Sequence, residues 1–179
     1  MELMTAINGR RSIRKYDGEK KLTKEQIDEI ISAAIMAPSW KNSETGRYYI
    51  ITDEDKKAYV RSECLPGFNA ENCKDASAIV VTTFVKGISG FGPDGMPANE
   101  LSDGWGAYDL GLQNQNLMLK AHEMGFGTLI MGLRDEDKLR KYAGIPENES
   151  IVAVISIGAP DTEPNAPVRK KLDEVRKYL

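Results

Sequence analysis

The sequence is poor in the side chains on which many active sites depend. It has a single histidine, His122, and two cysteines, Cys64 and Cys73, among 179 residues. A histidine-based metal site or a Ser-His-Asp triad would have to rest on His122, which we interpret as a surface or helix-capping residue. The cysteines lack a metal-type or C-x-x-C spacing, so we expect no metal, no disulfide framework and a reducing, cytoplasmic setting.

Long apolar runs are also missing. No stretch approaches the roughly 20 residues of a membrane span, and the N-terminus has no apolar segment after a basic one, so no signal peptide is expected. A net charge of −3 and a pI near 5.4 argue against nucleic acid as a partner. Neither G-x-x-x-x-G-K-[ST] nor a strand-to-helix G-x-G-x-x-G occurs.

The apolar pattern predicts a mixture of helices and strands. Thr23 with Gln26 forms a capping-box pair ahead of a helix to about Ala37, ended by Pro38. A β-branched run at 78–84 predicts a buried strand. The other predicted elements are helices at 2–9, 53–62, 110–124 and 135–143 and strands at 48–52, 128–131 and 151–157. Because they do not alternate as in a doubly wound sheet, we expect one α+β domain, residues 1–179, with a central sheet of four or five strands flanked by helices.

A glycine- and proline-rich insertion at about 86–106 separates the buried strand from the long helix. Insertions of this length inside compact domains are usually functional or disordered. Phe91, Met96 and Trp105 punctuate it, which suits a lid over a flat aromatic substrate but also plain anchoring of the loop.

The segment R-R-S-I-R-K-Y, residues 10–16, places four cationic side chains and a hydroxyl in an acidic chain. Arginine offers a planar fork that matches phosphate oxygens, and serine adds a donor. The alternative is a solvated basic surface. A second basic cluster, Arg169 to Lys171, lies at the other end of the chain, and the two could converge on one phosphate gripped by side chains.

Four segments resemble, in order, the signatures of the FMN-dependent nitroreductase family. They are residues 10–16, A-P-S-W-K-N-S-E-T at 37–45, G-F-G-T at 125–128 leading to M-G at 131–132, and R-K-K-L-D-E-V at 169–175. The resemblance implies a mostly antiparallel sheet and a homodimer with FMN at the subunit interface. It further implies hydride transfer from NADH or NADPH through flavin N5 to a small-molecule acceptor, such as a nitroaromatic or quinone, without a separate catalytic side chain.

The resemblance also implies which residues hold FMN. Residues 10–14 would grip its phosphate and the ribityl or pyrimidine side, and residues 38–42 would reach the flavin across the dimer interface. Asn69 would bond the pyrimidine, the turn after residues 128–131 would offer backbone donors near N5, and the C-terminal cluster would return to the phosphate. The implied set is Arg10, Arg11, Ser12, Arg14, Pro38, Ser39, Asn42, Asn69, Ile130, Met131, Gly132, Arg169 and Lys170.

Two departures from the family pattern bear on the substrate. Glu44-Thr45-Gly46 stands where the family often has Q-P-W, and Lys171 replaces the proline of R-K-P-L. FMN binding is still expected, but the acceptor stays open. A reductive dehalogenase-type member, or a non-catalytic flavin-binding or redox-sensing protein, would use the same phosphate grip.

Overall fold

A four-stranded antiparallel sheet, in the order β1-β2-β4-β3, forms the centre of the computed structural model, which describes all 179 residues. The strands are β1 Gly46–Ile51, β2 Ala78–Val85, β3 Gly127–Met131 and β4 Glu149–Gly158. The helices are α1 Leu3–Gly9, α2 Lys24–Ala34, α3 Glu54–Tyr59, α4 Phe68–Asn72, α5 Gly104–Glu123, α6 Glu136–Ala143 and α7 Leu172–Val175. A 3₁₀ turn lies at Trp40–Asn42, and a π turn at Val60–Cys64 continues α3. The predicted α+β fold with a four- or five-stranded antiparallel sheet is confirmed.

The central strand β2 divides its side chains between two cores. Ile79 and Val81 pack on the face that carries α3 and α6. Ala78 and Val80 pack on the opposite face, against α2 and α5. Strand side chains alternate between faces, so a strand covered on both sides must be apolar throughout, as this β-branched run is.

Local capping signals set several boundaries as predicted. Thr23 and Gln26 form the capping box of α2: the Gln26 N–H donates to Thr23 Oγ1 at 3.3 Å, and the Thr23 N–H donates to Gln26 Oε1 at 2.9 Å. The Asp53 side chain caps α3 in a similar way, accepting from the Lys56 N–H at 3.0 Å. At the C-terminal end of α6, Gly144 adopts φ +64°, the left-handed conformation that glycine allows.

Other boundaries differ from the prediction. Helix α2 ends at Ala34 rather than Ala37, because Pro38 disfavours helical geometry in the residue before it and the chain leaves the helix through a turn. Helix α5 begins at Gly104, so the insertion is a loop only over residues 86–103. Gly106 lowers the helical signal there, yet it is required: a Cβ would lie 2.2 Å from Phe84 Cδ2. Helices α4 and α7 were not predicted.

The basic N-terminal segment lies along the β3 edge of the sheet. The Ile13 N–H donates to the Thr128 carbonyl at 3.0 Å, and Ser12 forms a parallel bridge with Thr128. The close approach of this segment to β3 depends on Gly127, because a Cβ there would lie 2.3 Å from Ile13 Cγ1. Residues 10–14 are thereby held in register with β3. No helix of the chain is long and apolar enough to cross a bilayer.

Candidate functional site

The two basic clusters at opposite ends of the chain meet at one cavity of about 350 Å³. The N-terminal segment contributes Arg10, Arg11, Ser12 and Arg14, and the C-terminal segment contributes Arg169. The remaining wall is Pro164, Asn165 and Pro167, so no carboxylate lines the cavity. Tertiary structure therefore joins residues that are separated by nearly the whole sequence.

The arginines of this cavity, which we call the arginine cavity, have no acidic partners. The ion-paired arginines of the chain are Arg134, Arg140 and Arg176, none of which lines it. Burial lowers the pKa of the Arg10 guanidinium, and the positive charges of Arg169 and Arg11 lower it further. Uncompensated like charges at close quarters are costly, and a bound phosphate would relieve the cost through charge-assisted hydrogen bonds.

A second cavity of about 580 Å³ adjoins the first and shares Arg10, Arg11, Pro164 and Asn165 with it. Its other walls include His122 and residues 125–128, the turn from α5 into β3. His122 is partly buried in the last turn of α5 and lines this cavity, and its interpretation as a surface or capping residue stays a prediction. Its position beside this cavity could not be predicted, since a lone histidine late in a helix has no motif around it.

The turn after β3 offers a run of free backbone donors. The N–H groups of Gly132, Leu133 and Arg134 donate no hydrogen bond within the chain. Gly132 is exposed and Ile130 is 43% exposed, whereas the Met131 side chain is 2% exposed and lies in the core, so at Met131 only the backbone can face a ligand.

Two side chains hold this turn in place. Asn69, on α4, donates from Nδ2 to the Leu133 carbonyl at 2.8 Å. Arg134 donates from Nη1 to the Gly132 carbonyl at 3.0 Å and from Nη2 to the Ile151 carbonyl of β4. The structure thus brings Asn69 to the turn that follows β3, and its contact with flavin stays a prediction. Arg134 was missed, because it belongs to none of the recognised motifs.

The A-P-S-W-K-N segment, residues 37–42, lies beside the start of α5, away from the arginine cavity. The Trp40 N–H donates to Asp109 Oδ2 at 2.9 Å, near the start of α5, whereas His122 lies in its last turn. At about 1.5 Å of rise per residue, these two points on α5 are about 20 Å apart. Within one chain, Pro38, Ser39 and Asn42 therefore do not reach the arginine cavity. Lys170 is exposed and does not line it either.

The same segment is conformationally strained. Lys41, Asn42 and Glu44 have φ of +48°, +54° and +50°, in the left-handed region that side chains other than glycine rarely adopt. Three buried polar atoms beside them have no hydrogen-bond partner: Trp40 Nε1, Ser43 Oγ and Thr45 Oγ1. Clustered strain and orphaned polar atoms point to a segment shaped for something outside its own chain.

Comparison with known proteins identifies a family for the chain. The model of the Nitroreductase family matches residues 7–89 and 94–159. An Archaeoglobus fulgidus protein with the provisional name NADH dehydrogenase/NAD(P)H nitroreductase is 28% identical over 171 residues, covering 90% of this chain and 87% of its own. The NADPH-flavin oxidoreductase of Vibrio harveyi is 29% identical over 161 residues, covering 89% of this chain and 66% of its own.

Solved structures of similar proteins have the same fold. A provisionally named nitroreductase of Exiguobacterium sibiricum, solved in complex with FMN, superposes with a TM-score of 0.89 at 24% identity, covering 100% of this chain and 98% of its own. A nitroreductase family protein of Streptococcus pneumoniae superposes with a TM-score of 0.86 at 18% identity, covering 99% of this chain and 100% of its own. With the family match spanning most of the sequence, the chain belongs to the nitroreductase family.

Proposed function

We propose that the protein is an NAD(P)H-dependent FMN oxidoreductase that reduces a nitroaromatic, a quinone or a related small acceptor. The observation that carries the proposal is the convergence of Arg10, Arg11, Arg14 and Arg169 on one cavity without any carboxylate. Membership of the nitroreductase family and the name of the Vibrio harveyi relative, an NADPH-flavin oxidoreductase, support the same activity.

The residues present fit FMN. The arginine cavity would hold the phosphate through Arg10, Arg11 and Arg169, with the Ser12 hydroxyl as a further donor. Bound FMN would supply the redox chemistry, accepting a hydride from NADH or NADPH and delivering it to the acceptor. Arg169 lines the arginine cavity and Lys170 and Lys171 do not, so Arg169 is the preferred C-terminal ligand.

The ring end of the cofactor site would be formed by the turn after β3. The free N–H groups that begin at Gly132 would donate to the flavin near N5, and Asn69 would keep its side-chain oxygen available for the pyrimidine. Arg14, farther along the N-terminal segment, would present positive charge on the pyrimidine side. No acid–base dyad is needed, because the cofactor itself carries the reaction.

A homodimer would complete this site. Ser39 and Asn42 lie beside the start of α5, about 20 Å along that helix from His122, and do not line the arginine cavity of their own chain, so we expect them to reach FMN from the partner subunit. The strain at 41–44 and the unpartnered polar atoms at 40–45 support an intersubunit role. Residues 162–179, whose hydrogen bonds all stay within that segment, are free to extend towards a second copy.

The remaining features have roles consistent with this activity. We treat residues 1–179 as one domain in which the loop 86–103 acts as a lid. Beside it the Trp40 and Trp105 ring centroids are 4.8 Å apart, and those of Trp105 and Tyr108 are 5.5 Å apart. Such a cluster suits a flat aromatic acceptor. A cytoplasmic location is proposed from the two free, buried cysteines.

A visible spectrum of the purified protein, followed by anaerobic addition of NADH and then NADPH, tests the proposal. A flavin spectrum that bleaches with either donor is expected, and the faster donor is the preferred one. Bound flavin that neither donor bleaches would favour a non-catalytic flavin-binding or sensing protein. A colourless protein that takes up no added FMN would overturn the cofactor assignment.

The variants Arg10→Ala and Arg169→Ala test the phosphate grip separately. Each removes charge-assisted bonds to phosphate, so purified flavin content is expected to fall while the apoprotein stays folded. Lys141→Ala is the control, since Lys141 is exposed on α6 far from both cavities. Full flavin content in both arginine variants would show that the grip is assigned to the wrong residues.

A further inference from the structure

The only histidine of the chain lies beside the proposed phosphate site. His122 lines the cavity of about 580 Å³ together with Arg10 and Arg11, the residues shared with the arginine cavity. Thr128 lines the same cavity and is only 2% exposed. Its hydroxyl is buried and has no hydrogen-bond partner. An imidazole and two arginine residues therefore line the same cavity.

The imidazole is packed against the backbone that leads into Arg10. A Cβ on Gly9 would lie 2.8 Å from His122 Nε2, so any larger residue there would collide with the ring. This close approach keeps the ring next to the first residue of the basic segment. A change of charge on His122 is thus felt at Arg10 and Arg11 rather than in solvent.

Charged residues on several elements surround His122. Burial lowers the pKa of His122, and the positive charges of Arg10 and Arg11 lower it further. On its own helix, Glu123 is bonded to the Met1 amino group at 3.1 Å and to Lys120 at 3.0 Å, so its charge is already compensated. Lys120 is also paired with Glu29, and Glu163 on the opposite wall is exposed. Without an anion, the neutral ring is therefore favoured near neutral pH.

We propose that His122 adjoins the phosphate site and takes up a proton from solvent more readily when the FMN phosphate binds to Arg10 and Arg11. The inference rests on the proposed function, because it needs a phosphate ester in the arginine cavity. A bound dianion offsets part of the positive charge of the arginines, so the ring is protonated more readily, and the protonated ring has two N–H donors. Binding and protonation then favour each other.

The sign of the pH dependence follows from this linkage. The free protein has a His122 pKa below the ordinary value of about 6.5, and the complex has a higher one. Protons are taken up on binding between these two values, so FMN affinity rises as pH falls through that window. Riboflavin lacks the phosphate and is expected to show no such dependence on His122.

The direct test is an NMR titration of His122 in tag-free apoprotein, where the single imidazole makes the assignment unambiguous. Spectra are taken between about pH 5 and pH 8.5, the range in which histidine titrates, with no ligand, with sulfate, with FMN and with riboflavin. We expect FMN and sulfate to raise the pKa by about one unit, a tenfold shift in the protonation equilibrium. Sulfate keeps its charge over this range. A shift of the His122 pKa in sulfate therefore cannot come from titration of the FMN phosphate.

The outcomes separate this inference from the proposed function. FMN that binds without moving the His122 titration would overturn the inference and leave the oxidoreductase standing. A titration moved equally by riboflavin would also overturn it, since the phosphate would not be the cause. Failure of the apoprotein to bind FMN would overturn both. His122→Gln gives an independent check, because the ratio of FMN affinity at about pH 6 to that at about pH 8 should be lower in the variant than in the unaltered protein.

Discussion

At the scale of single residues, buried carboxylates hold the irregular parts of the fold together. Asp109 is 3% exposed, and its Oδ2 accepts hydrogen bonds from the Trp40 N–H at 2.9 Å and from Ser89 Oγ at 2.5 Å. One oxygen thereby connects the start of α5, the loop 86–103 and the strained segment that follows α2. Neither segment has a regular ladder of its own there, so this junction replaces secondary structure as the source of order.

Replacing Asp109 tests this junction. Asp109→Ala leaves a partly buried N–H and a buried hydroxyl without acceptors, which is expected to lower the free energy of unfolding by about 1–3 kcal/mol. Urea denaturation of the apoprotein measures the loss. Ser89→Ala removes both the hydroxyl and its hydrogen bond to Asp109, so no donor is left unpaired. The free energy of unfolding should fall by less, about 1 kcal/mol. Equal stability of Asp109→Ala and the unaltered protein would show that the junction contributes nothing.

At the scale of elements, three of them converge where β3 ends. Helix α4 contributes Asn69, β3 contributes the turn itself, and the residues leading into α6 contribute Arg134. Because the two side chains occupy the carbonyls of Gly132 and Leu133, the peptides are oriented with their N–H groups unused. Preorganised donors of this kind need no reorganisation when charge develops on a ligand.

Arg134→Gln should therefore disturb the reaction more than the binding. The shortened side chain cannot span the Gly132 and Ile151 carbonyls, so the donors lose their fixed orientation. We expect anaerobic reduction of the flavin by NAD(P)H to slow by about tenfold, since small misplacements of reacting groups are costly. FMN affinity, which depends on the arginine cavity, should change far less.

Stopped-flow reduction kinetics and fluorescence titration with FMN measure these two quantities separately. The matched control is Lys141→Gln, which removes a positive charge from the exposed face of α6. A proportional loss of FMN affinity and reduction rate in Arg134→Gln would indicate general unfolding of the site instead of a positioning role.

At the scale of the whole molecule, the chain leaves much apolar surface uncovered. Val168, Leu172, Val175 and Tyr178 of the C-terminal segment are each at least 60% exposed. Helix α1 adds further exposed apolar residues: Leu3, Met4 and Ile7. Apolar side chains concentrated in this way on a terminal segment and a terminal helix are typical of an interface between copies.

Removal of residues 172–179 tests the homodimer. The truncated chain keeps Arg169 but loses most of the exposed apolar residues of the C-terminal segment, so we expect sedimentation velocity to show a shift from dimer to monomer. Flavin content should fall with it, because Ser39 and Asn42 would no longer reach a partner's cofactor. Lys177→Ala leaves the apolar residues in place and should remain dimeric. A truncated chain that stays dimeric with full flavin would remove the C-terminal segment from the interface.

Local sequence determined most of the elements, because capping, periodicity and β-branched runs act over a few residues. The capping box at Thr23, the buried strand β2 and the stop at Gly144 are of this kind. Boundaries were predicted less well where packing overrides propensity: Gly106 argues against a helix locally, but Phe84 leaves no room for a larger residue. The candidate FMN residues were identified from the order of four motifs. Motif order indicates a family, but it does not indicate which residues lie close together in the fold.

Only the tertiary structure decided which of those residues meet. Arg10 and Arg169 share a cavity because residues 10–14 align with β3 and the C-terminal segment crosses them, whereas Ser39 and Asn42 are carried to the far end of α5. The role of His122 depends on its approach to Gly9, and that of Arg134 on the carbonyl of Ile151. These are contacts between distant parts of the chain, and no local pattern encodes them, because the free energy that places them comes from packing of the whole sheet and its helices.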